Sequence, residues 1–263
     1  MLNVNSSNTM PKHWAWVGSI VGLLLGLLVF APAQWLAHSI AFISKHQLTF
    51  QNVEGTVWNG SAQTVMSTGV GATQEMVLPE RLHWRLVPQW NASIQLFLKH
   101  DCCMSQPMLL TIKPLLHSVQ FAIDDHQSRW PATWLQALGA PWNTVAPSGW
   151  LAVNTKQLQF SVSSQSFNMA GDATIDLQSL GSRLTTINPL GSYQLQVHGG
   201  HTPTVQLSTL EGVLQLQGQG EWLGQRLRFN GEAKASAGNE DALFNLLGVL
   251  GQRRGSTSIL KLG

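Results

Sequence analysis

Apolar and polar residues alternate along most of the chain after residue 45, and this period of two is the feature that most restricts its fold. Alternation of this kind is typical of antiparallel strands that bury one face and expose the other. Gly, Asn, Asp and Pro recur between the alternating runs, as chain reversals require. We therefore predict a mainly β fold, in which a curved antiparallel sheet contains about ten to twelve strands. The clearest runs span residues 82–86, 94–98, 119–123, 158–162, 173–177, 193–197, 213–216 and 227–229.

Two short segments carry helix signals instead of alternation. In PATWLQAL, residues 131–138, a proline occupies a favourable first helical position and a glycine follows the last residue. The second segment, EDALFNLLGVL at residues 240–250, is preceded by Asn239, a good N-cap residue. Its two leading carboxylates favour the positive end of the helix dipole, and Gly251 follows its last residue. We predict one short helix over each segment.

The N-terminal part contains a long apolar run, because residues 14–37 comprise 24 residues without Asp, Glu, Lys or Arg. A helix of this length extends about 36 Å, which exceeds the roughly 30 Å hydrocarbon core of a bilayer. We predict a single transmembrane helix over 14–37, between a short cytoplasmic tail at 1–13 and a periplasmic β-rich domain at 45–263. The segment 139–149 carries two prolines and is a candidate boundary within that domain. The side chains predicted to anchor the chain in the membrane are Trp14, Trp16, Leu23, Leu24, Leu25, Leu27, Leu28, Phe30 and Trp35.

A cleaved signal peptide is the alternative interpretation of the same run. Ala31 and Ala33 are small residues at the positions that a signal peptidase reads. The anchor is favoured because apolar residues continue through Trp35, Leu36 and Ala37. Both interpretations export the rest of the chain, and the anchor places the protein in the cell inner membrane, with its C-terminal domain in the periplasm.

Composition and motifs narrow the range of functions. Only 11% of the residues are charged, and no basic cluster is longer than the pair Arg253 and Arg254. The chain therefore lacks the basic stripe with which proteins bind nucleic acid. No nucleophile elbow, zinc-protease motif, phosphate-binding loop or paired CxxC motif occurs in the sequence. We predict no nucleic-acid partner, no cofactor, no catalytic residues and no enzymatic activity.

His100, Asp101, Cys102 and Cys103 bring imidazole and thiol groups together in one short stretch. Such groups bind metals, but adjacent cysteines are poorly placed to bind one tetrahedral ion together, and no second His/Cys cluster completes the set. We therefore predict no metal site. The alternatives are a disulfide between Cys102 and Cys103, a bridge to another chain, or two half-buried thiols near a hairpin tip.

Asp124, Asp125 and His126 place a carboxylate pair beside an imidazole. Groups of this kind support acid–base catalysis, which makes a periplasmic hydrolase the weakest of three functional hypotheses. The group follows an alternating strand and precedes Ser128, so a solvated turn is the favoured interpretation.

The stretch VEGTVWNGSA, residues 53–62, predicts the first strand after the apolar run and its hairpin turn. Asn59 and Gly60 suit a type I′ turn, whose two central residues need positive φ. Trp58 immediately precedes this turn and lies on the opposite face from Val53 and Val57. We predict that Trp58 packs against the start of the sheet, with contact to a partner as the alternative.

Several segments occur in a recognisable order after the apolar run. They are GTVWNGSA at 55–62, LHWRLVP at 82–88, GSRLTTINPLGSYQLQVHGG at 181–200, TLEGVLQLQGQGEWLGQRLRFNGEAKA at 209–235 and ALFNLLGVLGQRRG at 242–255. Together they resemble the type II secretion system protein N family, the general secretion pathway N subunit of Gram-negative bacteria. The resemblance implies an inner-membrane protein that crosses once and carries a β-rich periplasmic domain. It further implies a role accessory to the apparatus that exports folded proteins across the outer membrane.

Two stronger functional hypotheses stand beside the hydrolase. The first is a non-catalytic envelope component, whose strand edges and tryptophan-bearing turns contact other secretion subunits. The alternative is a β-groove module that binds or transfers lipid, in which the apolar face of strands 82–86 and 94–98 lines an open groove. The residues predicted to contact a partner or a groove ligand are Trp58, Trp84, Leu243 and Leu247, although core packing is favoured for both leucines.

Overall fold

The computed structural model describes residues 12–67, 75–163, 167–224 and 226–263. Within these ranges, sixteen strands form one curved sheet whose neighbouring strands pair antiparallel, which confirms the mainly β prediction. The strands are β1 (Leu48–Gly55), β2 (Asn59–Ser67), β3 (Glu75–Val77), β4 (Leu82–Pro88), β5 (Ile94–His100), β6 (Met108–Pro114), β7 (Ser118–Ile123), β8 (His126–Pro131), β9 (Ser148–Ser163), β10 (Phe167–Gly181), β11 (Gly191–Gly200), β12 (Thr204–Gly212), β13 (Leu214–Leu223), β14 (Arg226–Ala235), β15 (Gln252–Arg254) and β16 (Thr257–Leu262).

The strand order follows the chain almost without interruption. It runs β1-β2-β4-β5-β6-β7-β9-β10-β11-β12-β13-β14-β16-β15, while β3 pairs with β2 and β8 pairs with β9. Hairpin connections of this kind need only short turns, as the spacing of Gly, Asn, Asp and Pro in the sequence indicates. The sheet is continuous across residues 139–149, because β9 pairs with β7 and β8 before this segment and with β10 after it.

The N-terminal apolar run forms two helices, α1 (Lys12–Val29) and α2 (Ala33–Ile43), so the prediction of one helix over 14–37 is wrong in this respect. Pro32 separates them with extended backbone, at φ −66° and ψ 142°, and forms an isolated bridge with Thr56. Proline has no amide hydrogen with which to continue a helical ladder. No helix within the described residues combines the length and apolar character needed to cross a bilayer. Residues 1–11 of the predicted tail and the side chain of Trp14 lie outside the described part of the chain.

The two short helical segments are present, with altered bounds. Residues Ala132–Leu138 form a 3₁₀ helix between Pro131 and Gly139, and a further short helix, α3 (Trp142–Val145), follows it. The last helix, α4 (Phe244–Leu250), ends as predicted before Gly251 but begins later than predicted. Asn239 does not cap it, because its side-chain amide donates to Ser236 Oγ at 3.1 Å.

Two separate apolar clusters stabilise the two halves of the sheet. The N-terminal core contains Ala33, Ala62 and Trp84, surrounded by the partly buried side chains of Leu36, Phe50, Val53, Leu86, Leu96 and Leu98. The C-terminal core contains Ala132, Val145, Leu180, Leu190, Tyr193, Leu214, Ala233, Ala235, Leu243, Leu246 and Leu247. Tyr193 donates its hydroxyl to the carbonyl of Leu214 at 3.0 Å, and burial raises the pKa of its phenol well above the ordinary value.

Candidate functional site at the junction of helix and sheet

The C-terminal end of α1 is hydrogen-bonded to the turn between β1 and β2. Trp58 Nε1 donates to the carbonyl of Leu28 at 2.7 Å, and the amide of Val57 donates to the carbonyl of Ala31 at 2.9 Å. The carbonyl of Trp58 in turn accepts from the amide of Leu86 in β4 at 2.7 Å. The last carbonyls of a helix have no partner within it, so Trp58 satisfies one of these groups. We call this arrangement the junction.

The turn at the junction is not the one predicted from sequence. It comprises residues 56–58 and is closed by the amide of Thr56, which donates to the carbonyl of Asn59 at 2.9 Å. Asn59 and Gly60 are the first residues of β2, and Gly60 lies opposite Trp84. A Cβ atom at Gly60 would approach the Trp84 ring to 2.5 Å. The glycine therefore allows close packing of an indole ring and does not serve a turn with positive φ.

Trp84 contacts the junction from the N-terminal core. Its side chain is 5% exposed, and its Nε1 donates to the carbonyl of Val57 at 3.1 Å. Its ring lies 6.4 Å from that of Phe50 in β1. Because Trp84 holds Val57 while Trp58 holds Leu28, two indole N–H groups fix the same turn from two sides. The sequence predicted packing for Trp58, but gave no sign that its partner is a helix end 30 residues earlier.

The face proposed as a lipid groove is covered in part by α2. Ala33 is buried in the N-terminal core, and Leu36 packs against it. Leu86, Leu96 and Leu98 are partly buried in the same cluster. Packing by a helix does not favour an open groove at this place, and lipid binding by the sheet stays a prediction.

Comparison with known protein families identifies the family of this chain. The model of the type II secretion system (T2SS), protein N, matches residues 46–259, which is most of the sequence. The chain belongs to the type II secretion system protein N family. Comparisons with curated proteins and with solved structures found no match. The matched residues include nearly the whole sheet and begin after α2, so α1 and α2 lie outside the match.

The predicted anchor residues described in the structure expose their side chains. On α1 and just after it the exposed apolar side chains include Trp16, Leu23, Leu24, Leu25, Leu27, Leu28 and Phe30, and Trp35 on α2 is also exposed. Contiguous apolar surface of this kind is uncommon on a chain surrounded only by water and marks a place of contact.

Leu243 and Leu247 lie inside the C-terminal core. Both are almost completely buried, together with Leu246 on the same side of α4. Ser258 in β16 donates its hydroxyl to the carbonyl of Leu247 at 2.6 Å, which ties the helix to the sheet. The favoured prediction for these leucines was core packing, and they leave no side-chain surface for a partner.

Cys102 and Cys103 form a disulfide beside a buried histidine. His100 is 1% exposed, and its Nδ1 lies 3.2 Å from Cys102 Sγ. The Trp130 and Trp134 rings pack edge-on against the imidazole at 5.5 and 5.8 Å. Burial lowers the pKa of His100, an effect that the nearby carboxylates of Asp101 and Glu80 oppose.

The potential ligand atoms of His100, Cys102 and Cys103 lie within 4.8 Å of one another. Metals bind the thiolate form of cysteine, and neither sulfur has that form while the disulfide is intact. The packing of Trp130 and Trp134 against His100 could not be predicted from the sequence. Trp130 belongs to β8 and Trp134 to the 3₁₀ helix, and only the fold brings them to His100.

Asp124, Asp125 and His126 are used in hydrogen bonds that shape β9. Asp125 Oδ1 accepts from the amide of Gln157 at 2.7 Å, at a position where Gln157 has positive φ. Thr155 donates its hydroxyl to the carbonyl of Asp124 at 3.1 Å and accepts from the amide of His126 at 3.2 Å. The favoured interpretation of the group is a solvated turn; Asp124 and Asp125 are exposed between β7 and β8, whereas His126 begins β8 and burial lowers its pKa.

Proposed function

We propose that the chain is a non-catalytic inner-membrane component of the type II secretion system. Its role is accessory to the assembly or function of the apparatus that exports folded proteins across the outer membrane. The family match over residues 46–259 carries this proposal, since it covers nearly every strand of the sheet. In this arrangement residues 1–13 are cytoplasmic, 14–37 contain the anchor, and 45–263 lie in the periplasm.

The junction supports a role for the anchor beyond tethering. Hydrogen bonds from Trp58 and Val57 attach the end of α1 to the sheet through backbone carbonyls. A helix attached in this way fixes the orientation of the sheet relative to the membrane, whereas a flexible linker would not. Fixed orientation presents the terminal strands β1 and β15 to other secretion subunits in a constant direction. Edge strands of this kind bind partners by strand addition.

A secretion assay tests the functional part of the proposal. In the bacterium that carries this chain, we expect deletion to lower the amount of exported enzyme in the medium and raise it in the periplasm. The full chain should restore secretion, and a resident periplasmic protein serves as the control for leakage. Unchanged secretion after deletion, under conditions in which the apparatus is needed, would contradict the proposal.

A separate measurement tests the location. The full chain should be found in the inner-membrane fraction, and a periplasmic reporter fused after residue 263 should be active. N-terminal sequencing distinguishes the anchor from the signal peptide. Recovery of a mature chain that begins after Ala33 would replace the anchor with a cleaved leader and leave the secretion role to be judged by the first assay.

A further inference from the structure

Two apolar side chains extend from the sheet without packing against it. Trp90 is 108% exposed on the loop 89–93, which is ordered by a hydrogen bond from the amide of Gln89 to the carbonyl of Ser93 at 2.8 Å. Leu116 is 97% exposed on the turn between β6 and β7. Chain reversals favour Gly, Asn, Asp and Ser. A tryptophan and a leucine at such tips contribute little to the fold, and both side chains are free to contact another surface.

Both tips lie at the same end of the sheet as the junction. Pro88 pairs with Ile94, and Ile94 pairs with Ile112, so the ends of β4 and β6 are at one level. The turn 56–58 lies at the level of Leu86, whose amide donates to the carbonyl of Trp58. Neighbouring hairpins are two strand spacings apart, or about 10 Å. We call the row formed by the turn 56–58, the loop 89–93 and the loop 115–117 the rim.

The most apolar exposed helix of the chain ends at the rim. Hydrogen bonds from the turn 56–58 hold Leu28 and Ala31 there, and the exposed rings of Phe30 and Trp35 flank them. Trp90 adds a further exposed aromatic side chain on the rim, near the place where the chain would leave a membrane. Tryptophan is enriched at the interface between membrane and water in membrane proteins, because its ring is apolar and its N–H group is polar.

The carboxylates of the first seven strands are distributed unequally between the two ends of the sheet. The segments 28–39, 56–62, 86–94 and 112–118 contain no Asp or Glu, and Lys113 is exposed near Leu116. The nearest carboxylate in β1, Glu54, pairs with Arg81 at 3.4 Å. The opposite end of the same strands carries the acidic residues Glu80, Asp101, Asp124 and Asp125. Anionic lipid head groups repel carboxylates, so this asymmetry favours the rim as the end nearest to lipid.

We propose that the rim rests on the lipid surface of the membrane that α1 enters, with Trp90 and Leu116 inserted into its interface. The proposal rests on the membrane location proposed above for α1. The sheet then has three attachments to the bilayer, the helix and two hairpin tips, which hold β1 to β7 upright on the membrane. The acidic end of these strands points away from the lipid.

Lipid-quenching fluorescence on the full chain tests this proposal. Both cysteines of the sequence are in the disulfide, so a thiol-reactive fluorophore labels only introduced cysteines. The rim is labelled through Ala92→Cys and, separately, His117→Cys, both at exposed positions. The matched control is Asp124→Cys, at an exposed position just after β7, at the end of the sheet away from the rim. A fourth variant, Leu24→Cys, reports on α1. The chain is reconstituted in vesicles of phosphatidylethanolamine and phosphatidylglycerol that contain nitroxide-labelled lipid.

We expect nitroxide lipid to quench the labels at residues 92 and 117 and to leave the label at residue 124 unquenched. In a Trp90→Ser, Leu116→Ser background, quenching at residue 92 should fall to the value at residue 124. Quenching at residue 24 without quenching at 92 and 117 would overturn the rim proposal while supporting the anchor. An unquenched label at residue 24 would overturn the anchor and, with it, the proposal that rests on it. Labels at 92 and 117 that are shielded from aqueous iodide and unquenched by lipid would assign the rim to a protein partner and overturn lipid contact.

Discussion

Trp84 and Trp90 are six residues apart in the chain and lie in opposite environments. Trp84 is buried among side chains from α2, β1 and β2, whereas the side chain of Trp90 is fully exposed. Trp84 lies within an apolar alternation and Trp90 comes shortly after it. The alternation predicts a strand face but does not tell which face a helix will cover. The partners of Trp84 are contributed by residues 33, 50, 57 and 62, so its burial is a property of the assembled fold.

Replacement of Trp84 by alanine tests the importance of the N-terminal core. Removal of a buried tryptophan leaves a cavity and an unpaired carbonyl at Val57, and we expect a loss of about 3–5 kcal/mol in the opening free energy of β2 and β4. Amide hydrogen exchange measures this quantity strand by strand. Trp90→Ala is the matched control, because its fully exposed ring should change the opening free energy by less than about 0.5 kcal/mol. Equal effects of the two substitutions would contradict the assignment.

His100 predicts a dependence of stability on pH. Burial lowers its pKa in the folded state, while Asp101 and Glu80 act in the opposite direction and His83 acts in the same direction. The unfolded chain therefore takes up a proton near the ordinary histidine pKa of about 6.5 before the folded chain does. The stabilisation by neutral His100 is present above this pH and is lost as the pH falls from it towards the lower folded pKa.

We accordingly expect the melting temperature to decrease between pH 7 and pH 5, with a smaller decrease in His100→Phe. His126, whose pKa is also lowered by burial, contributes in the same direction and should preserve part of the slope. Scanning calorimetry at several pH values measures the effect. The control His117→Phe alters an exposed ring and should keep the full slope. If His100→Phe kept it as well, the proposed role of His100 would be wrong.

At the scale of the element, alternation predicted the long strands and failed for the short ones. The runs at 82–86, 94–98 and 193–197 lie within β4, β5 and β11. The strands β3 and β15 have three residues each, too few to show a period, and this partly explains why the observed strands outnumber the predicted ones. The division of the apolar run into α1 and α2 follows from Pro32. The prediction of one helix rested on the unbroken run of uncharged residues and took no account of this proline.

The junction could be predicted only in part, for a physical reason. A hairpin containing Trp58 follows from the sequence, because strand residues surround a polar turn. The hydrogen bond from Trp58 to Leu28 joins residues that are 30 positions apart. It forms only if the backbone between them places the end of α1 beside the turn, and no local sequence pattern predicts that. Likewise, Gly60 was assigned to a turn by local chemistry, whereas the ring of Trp84 is the reason that no side chain fits there.

Helix α4 allows a prediction of increased stability. Gly248 is exposed within this helix, and a Cβ atom added there meets no atom within 4 Å. Gly248→Ala should therefore increase the opening free energy of α4 by about 0.5–1 kcal/mol, because alanine loses less backbone entropy in a helix. Hydrogen exchange of the α4 amides measures the gain. Gly60→Ala provides the contrast, since a clash with Trp84 should lower the protection of β2. A loss of protection in Gly248→Ala would show that α4 needs glycine for a reason other than space.

At the scale of the whole molecule, the chain is a row of hairpins with an apolar cluster towards each end. The N-terminal core and the C-terminal core have no described residue in common. Strands β6 to β9 connect them, with Phe121 and Phe160 stacked at 4.9 Å between neighbouring strands. When each unit contacts mainly its neighbours, stability is a sum of local terms, and separate parts open separately.

This organisation predicts opposite protection patterns for two core substitutions. Trp84→Ala should reduce hydrogen-exchange protection in β1 to β5 and leave β11 to β14 unchanged, because the cavity lies in the N-terminal core. Leu246→Ala should do the reverse, with a loss of about 2–5 kcal/mol in the C-terminal core, where Leu246 is fully buried. Both variants are compared with the unmodified full chain under the same conditions. A loss of protection throughout the sheet in either variant would contradict this prediction and would mean that the hairpins open as one cooperative unit. The long backbone ladder of β9 and β10 would then be the element that couples the two cores.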